Sequence, residues 1–173
     1  KNKLIIQMGT IGSEESMKLE KLVKSRGGKY LEAPVLGSVK EALEGKLLGM
    51  IGGNKKTFER NEFIFRTICE KTYFLGSVKN ASSSKLSLNY LIASLTYSFS
   101  LTLRFLQENN INIEIFMDLL RNSSLYAKTF DKKLEKMINS NHENANFNIM
   151  NLSKDIELFK NELKKMNIDE TLL

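Results

Sequence analysis

Lys29-Tyr30-Leu31-Glu32-Ala33-Pro34-Val35-Leu36-Gly37-Ser38, followed by Leu47-Leu48-Gly49-Met50-Ile51-Gly52-Gly53, is the stretch whose reading decides the fold. Each part is a short apolar run closed by proline or glycine, the pattern of a strand that ends in a turn. Residues 29–33 and 47–51 therefore read as strands, with a short helix from Ser38 to about Gly45 between them. Upstream, Leu4-Ile5-Ile6-Gln7-Met8 is a further strand closed by Gly9-Thr10-Ile11-Gly12. Ser13 reads as the N-cap of a helix to about Ser25, with Glu14 and Glu15 well placed in its first turn and Gly27-Gly28 as its stop. Downstream, a helix over about 56–70 leads to a strand at 72–75 that closes at Gly76. Strand, helix and strand at this pitch predict βαβ units on a sheet.

From about Ser82 the sequence is helical with almost no breakers. A long apolar helix reaches about Asn109, then come 113–121, 124–139 and, after the polar stretch 139–144, a last amphipathic helix at 152–166. The chain is thus an α/β segment joined without a linker to an all-α segment, and no internal repeat appears.

With 173 residues, 42% of them hydrophobic, the chain can bury a true core and is not a disordered segment. It opens Lys-Asn-Lys rather than with Met, which suggests a processed, truncated or partial sequence. A single cysteine, Cys69, excludes a disulfide scaffold. With no secretory leader in view, it fits a reducing, cytoplasmic setting. Residues 86–103 carry no charge, yet Asn89 and four serines interrupt them, so a buried soluble helix is expected and no membrane association. The net charge of +6 comes from lysines scattered among acidic residues, such as Lys132-Lys133-Leu134-Glu135-Lys136. That is a solvated helix surface, and no nucleic-acid partner is expected.

One histidine, His142 in a polar loop, leaves no basis for a metal site or a Ser-His-Asp triad. Cys69, on the expected 56–70 helix, reads as a small core residue. No G-x-G-x-x-G or P-loop occurs. The glycines at 9–12 and 36–38 stand at strand ends, where free amides can meet anions, or they merely make turns. Ser38 also opens a helix, so a carboxylate could sit there. Lys85 begins the long helix four residues before Asn89, so both project from one face. Lys85 is either an ordinary end residue with its head in water or a desolvated group able to transfer protons.

Glu32-Ala33-Pro34-Val35-Leu36-Gly37-Ser38, then Ala42 and Gly45, then Leu48-Gly49-Met50-Ile51-Gly52-Gly53, closely resembles the β-hydroxyacid dehydrogenases. Gly76 followed nine positions later by Lys85, with Asn89 beyond it, matches the family's glycine-rich stretch, catalytic lysine and partner asparagine. Thr10 and the pattern Phe147…Lys154-Asp155 match two further motifs. The resemblance implies the second half of a Rossmann domain at 1–78 and an all-helical domain at 79–173, incomplete at its end, built on the long interdomain helix from Lys85. It implies an NAD- or NADP-dependent oxidoreductase that exchanges hydride between a small 3-hydroxy or 2-hydroxy acid and its semialdehyde or oxo acid. Lys85 would be the general acid and base, Leu36, Gly37, Ser38 and Asn89 would bind substrate, and Thr10 and Lys154 would contact the cofactor. Helical-domain contacts would support a homodimer or homotetramer.

The sequence also departs from that pattern. The family's N-terminal βαβ, with its pyrophosphate loop and the residue that selects NAD or NADP, is not represented, so the 173 residues alone are expected to be inactive. Gly9 and Gln7 stand for the family's Ser and Asp, Leu36 for Ser, Leu88 for Asn, and Lys79 and Ala81 for glycines. These changes keep open a second reading, a non-catalytic, dimerising relic of the dehydrogenase.

Overall fold

The computed structural model describes residues 2–141 and 147–169; His142, expected on the surface, lies outside them. Five strands form one sheet: β1 (Leu4–Gln7), β2 (Lys29–Glu32), β3 (Val35–Leu36), β4 (Leu47–Gly53) and β5 (Cys69–Gly76). The helices are α1 (Ser13–Ser25), α2 (Val39–Leu43), α3 (Lys55–Arg60), α4 (Glu62–Arg66), α5 (Val78–Glu108), α6 (Ile113–Arg121), α7 (Lys128–Ile138) and α8 (Ile149–Lys165). The α/β segment followed by helices, with a long helix at its centre, is therefore present.

The sheet is mixed. β1 and β2 run parallel across α1, and β4 and β5 run parallel across α3 and α4. Between the two βαβ units the chain reverses: β4 is antiparallel to both β2 and β3. The pairs Leu31↔Gly53, Glu32↔Gly52, Val35↔Gly49 and Leu36↔Leu48 share one unbroken register. The Met50 N–H also donates to the Pro34 carbonyl at 2.9 Å. Residues 31–36 are thus one edge of a single antiparallel ladder, divided into β2 and β3 where Pro34 has no N–H to give.

Leu31, Ala33, Ile51, Phe58 and Phe65 form the core of this layer, with Leu4, Ile6, Met8 and Phe74 packed against it. Phe58 lies 5.7 Å from both Phe65 and Phe74, ring centre to ring centre. The expected 56–70 helix is two short helices that break at Asn61. The Asn61 amide donates to the Thr57 carbonyl at 2.8 Å, so a side chain competes for a main-chain acceptor. Cys69 is accordingly the first residue of β5 rather than helical, though it is buried as expected, and burial pushes its thiol pKa up.

α5 begins at Val78, four residues earlier than the apolar pattern indicates. The Ser77 hydroxyl accepts the Asn80 N–H at 3.2 Å, and the Asn80 amide donates to the Leu75 carbonyl at 2.8 Å, which fixes the entry. The hydroxyls inside the helix turn back on its own carbonyls: Ser82 to Val78, Ser87 to Ser83, Thr96 to Ile92 and Thr102 to Ser98. Among the described residues no helix is long and apolar enough to cross a membrane.

The chain divides into two compact units. The first comprises the sheet, its helices, α5 as far as Tyr90, and α8; the second begins at Leu91 and contains α6 and α7. This differs from a boundary at residue 78, because α8 packs with the N-terminal elements: Phe159 stacks on Tyr90 at 4.8 Å and Glu162 bonds to Ser13. The second unit has its own core of Phe99, Leu103, Met117, Phe130 and Leu134.

Candidate active site

The β1–α1 turn, the middle of the first unit's share of α5, and the start of α8 meet around one buried carboxylate. Asp155, 3% exposed, accepts a hydrogen bond from the Asn89 amide at 2.6 Å on one oxygen. Its other oxygen lies 2.8 Å from the Lys154 ammonium. Lys154 in turn donates to the Thr10 carbonyl at 2.9 Å. Thr10, Lys154, Asp155 and Asn89 are thereby linked in one polar chain. Asp155 carried no role of its own in the sequence reading; its signal was the acidic residue next to Lys154.

Lys85 stands one helical turn before Asn89. It lies two turns inside α5 rather than at its mouth, because the helix starts at Val78. Burial lowers its pKa from the usual 10.5, and the Asp155 carboxylate pulls in the opposite direction. Desolvation wins, so a neutral amine is more accessible here than on a surface lysine. Within the same group, the Asn89 side-chain oxygen is buried without a hydrogen-bond partner.

No hydrogen bond or ion pair among the described residues joins Leu36, Gly37 or Ser38 to this group. Leu36 pairs with Leu48 in the ladder. Gly37 has φ +140, and a Cβ there would lie 2.6 Å from Leu47 Cδ2, so the position requires glycine. Ser38 caps α2, and both its N–H (2.9 Å) and its hydroxyl (2.5 Å) donate to the Glu41 carboxylate. Of the donors expected to hold a substrate carboxylate, both of those on Ser38 already hold one from the chain itself.

Of the two glycine replacements before Lys85, Lys79 is exposed in the first turn of α5. Ala81 is fully buried over Gly52, where an added Cβ would meet the Ala81 methyl at 2.9 Å and the Ser77 carbonyl at 2.3 Å. Gly52 thus makes room for the helix and its methyl group.

A desolvated lysine, an unsatisfied amide oxygen and a threonine at a strand's carboxyl end suit the nicotinamide end of a dinucleotide and a carbonyl substrate. The fit extends only that far, since no glycine-rich G-x-G-x-x-G loop occurs in the sequence to receive a pyrophosphate. Among the described residues there is no cluster of three potential metal ligands.

The NAD binding domain of 6-phosphogluconate dehydrogenase matches residues 1–76. Glyoxylate/succinic semialdehyde reductase 1 of Arabidopsis thaliana is 29% identical over 153 residues, 88% of this chain and 53% of that protein. The cytokine-like nuclear factor N-PAC of Drosophila melanogaster is 27% identical over 171 residues, 99% of this chain and 28% of that protein. Among solved structures, 3-hydroxyisobutyrate dehydrogenase from Salmonella typhimurium superposes with a TM-score of 0.87 at 15% identity, over 98% of this chain and 59% of that one. The chain spans about half the length of the reductase and about a quarter of the nuclear factor. Residues 1–76 thus resemble an NAD-binding domain, most of the chain is similar to part of a glyoxylate/succinic semialdehyde reductase, and its fold is that of a 3-hydroxyisobutyrate dehydrogenase over 98% of its length.

Proposed function

We propose that this chain carries the catalytic residues of an NAD(P)-dependent oxidoreductase that interconverts a small 3-hydroxy or 2-hydroxy acid with its semialdehyde or oxo acid. The observation that carries the reading is Lys85, desolvated one turn from an Asn89 that is anchored to buried Asp155. A nicotinamide cofactor, when bound, supplies or accepts the hydride. Lys85 gives a proton from its ammonium to the carbonyl oxygen during reduction, and takes the hydroxyl proton back during oxidation. Asn89, fixed by Asp155, holds substrate and lysine in register. Leu36, Gly37 and Ser38 receive the substrate carboxylate once Glu41 yields. Thr10 and Lys154 face the cofactor. A cytoplasmic setting and a homodimer or homotetramer complete this reading; exposed Leu91, Leu101 and Phe105 on α5 support the second.

The decisive experiment is Lys85→Ala in the protein with its complete natural chain, assayed with glyoxylate and succinic semialdehyde against both NADH and NADPH. Turnover is expected to fall by about 10²–10⁴-fold while cofactor binding persists. Full turnover in the variant overturns the assignment.

The commitment of both Ser38 donors to Glu41 favours a second reading, in which the fold serves a non-catalytic, self-associating module. The kinship with a nuclear factor along 99% of the chain supports it as well. Cofactor binding without turnover of any small hydroxy acid or aldehyde would decide for it.

A further inference from the structure

We propose that Glu162 is a positioning residue: from α8 it holds the β1–α1 turn that bears Thr10, and so governs how that turn meets the cofactor. The N-cap of α1 is Gly12, which has no side chain to accept from the first turn of the helix. Glu162 takes over that task from the far end of the chain. The Ser13 N–H donates to one of its oxygens at 3.2 Å and the Ser13 hydroxyl to the other at 2.6 Å. Both residues are buried, Ser13 at 1% exposure and Glu162 at 8%. An added Cβ on Gly12 would lie 3.7 Å from Glu162 and 3.8 Å from Leu158, so α8 sits directly over the cap.

The contact is one of a row. Lys154, two turns before Glu162, donates to the Thr10 carbonyl, and Lys165, one turn after it, lies 3.1 Å from Glu14. These positions recur at helical spacing on one side of α8. Asp155 and Phe159 reach Asn89 and Tyr90 on α5 from the same helix. One element thereby grips the turn with Thr10 and the segment with Lys85 and Asn89. A turn that capped itself would keep its shape whatever α8 did; this one takes its cap from α8. The consequence for cofactor binding rests on the reading above, in which Thr10 contacts the nicotinamide cofactor.

The test uses E162A and E162Q in the protein with its complete natural chain. Amide hydrogen exchange is followed peptide by peptide, NADH and NADPH binding by fluorescence titration, and KM and kcat with the better substrate. E162A is expected to speed exchange at residues 10–16 about tenfold, leave residues 29–53 unchanged, and raise the cofactor Kd about tenfold, the loss of hydrogen bonds to a charged acceptor. Saturating cofactor is expected to restore kcat. E162Q, which keeps an acceptor for Ser13, is expected to fall between wild type and E162A. Unchanged exchange at 10–16 in E162A overturns the inference. Faster exchange with an unchanged Kd also overturns it, leaving Glu162 as a cap alone. If wild type binds neither dinucleotide, the proposed function fails and the inference fails with it. If wild type binds and E162A binds equally, the inference alone falls.

Discussion

Half-buried Lys85 and fully buried Glu32 are both shifted by burial, in opposite directions. Lys85 is held below the usual lysine value, chiefly by burial. In the proposed reaction its protonated form would serve reduction, so the reduction rate is expected to fall as pH rises through that lowered pKa, and the oxidation rate to rise, both below pH 10.5. Opposite trends in the two pH–rate profiles check this; parallel trends contradict it. Glu32 is raised above its usual 4.5, first by burial, while the Ser16 and Tyr30 hydroxyls that donate to it partly offset the rise. The folded state then holds a proton that the unfolded chain has released. Stability is therefore expected to drop as pH climbs from 4.5 through the folded pKa, and Glu32→Gln should flatten that slope in thermal melts at stepped pH. That Lys85 and Asn89 share one face was legible from their four-residue interval, which holds whatever the helix start; their roles came only with the family resemblance. Asp155 was not, since its importance lies in a bond across 66 residues of sequence.

At the level of elements, β4 is bordered by partners on both sides, and α5 enters against it at Gly52. A methyl group at Gly52 would stand 2.3 Å from the Ser77 carbonyl, so Gly52→Ala is expected to cost about 1–3 kcal/mol, measured by urea unfolding. Leu31, fully buried in the same layer, is expected to cost about 2–5 kcal/mol when cut to alanine. The strands were readable because apolar runs ended at Gly or Pro. Their directions were not: the same alternation of strands and helices serves a parallel or a reversed connection, and the five-residue α2 is too short for a parallel crossover. The start of α5 was likewise hidden. The first turn, residues 78–81, lies before the continuous apolar pattern and is fixed by Ser77 and Asn80, whose side chains bond to main-chain groups at the helix entry.

For the molecule as a whole, the two units rest on separate cores, one built on the sheet and one on Phe99, Phe130 and their neighbours. The 173 residues expressed alone are expected to give no turnover with either dinucleotide, since no sequence among them provides the pyrophosphate loop. Measurable activity would contradict this. Phe105, 64% exposed on α5, is expected to lie in a self-association surface, and Phe105→Glu should shift the sedimentation coefficient toward the monomer. The two-part plan was visible in the change from broken to continuous periodicity near residue 80. The return of α8 to the first unit was not, because only bonds such as that from Ser13 to Glu162 place it there.

That bond also imposes an order of events. Helix α1 lies near the start of the sequence, and its cap arrives 149 residues later. During synthesis at about 5–20 residues per second, the first turn of α1 waits on the order of ten seconds or more for the acceptor that completes it. The sheet can collapse in that interval from contacts already in hand, such as the β1–β2 pairing, while the Thr10 turn stays unfinished. The helix that completes this turn is made after all five strands, and a nascent chain halted before residue 162 would hold a formed sheet with an open turn above it.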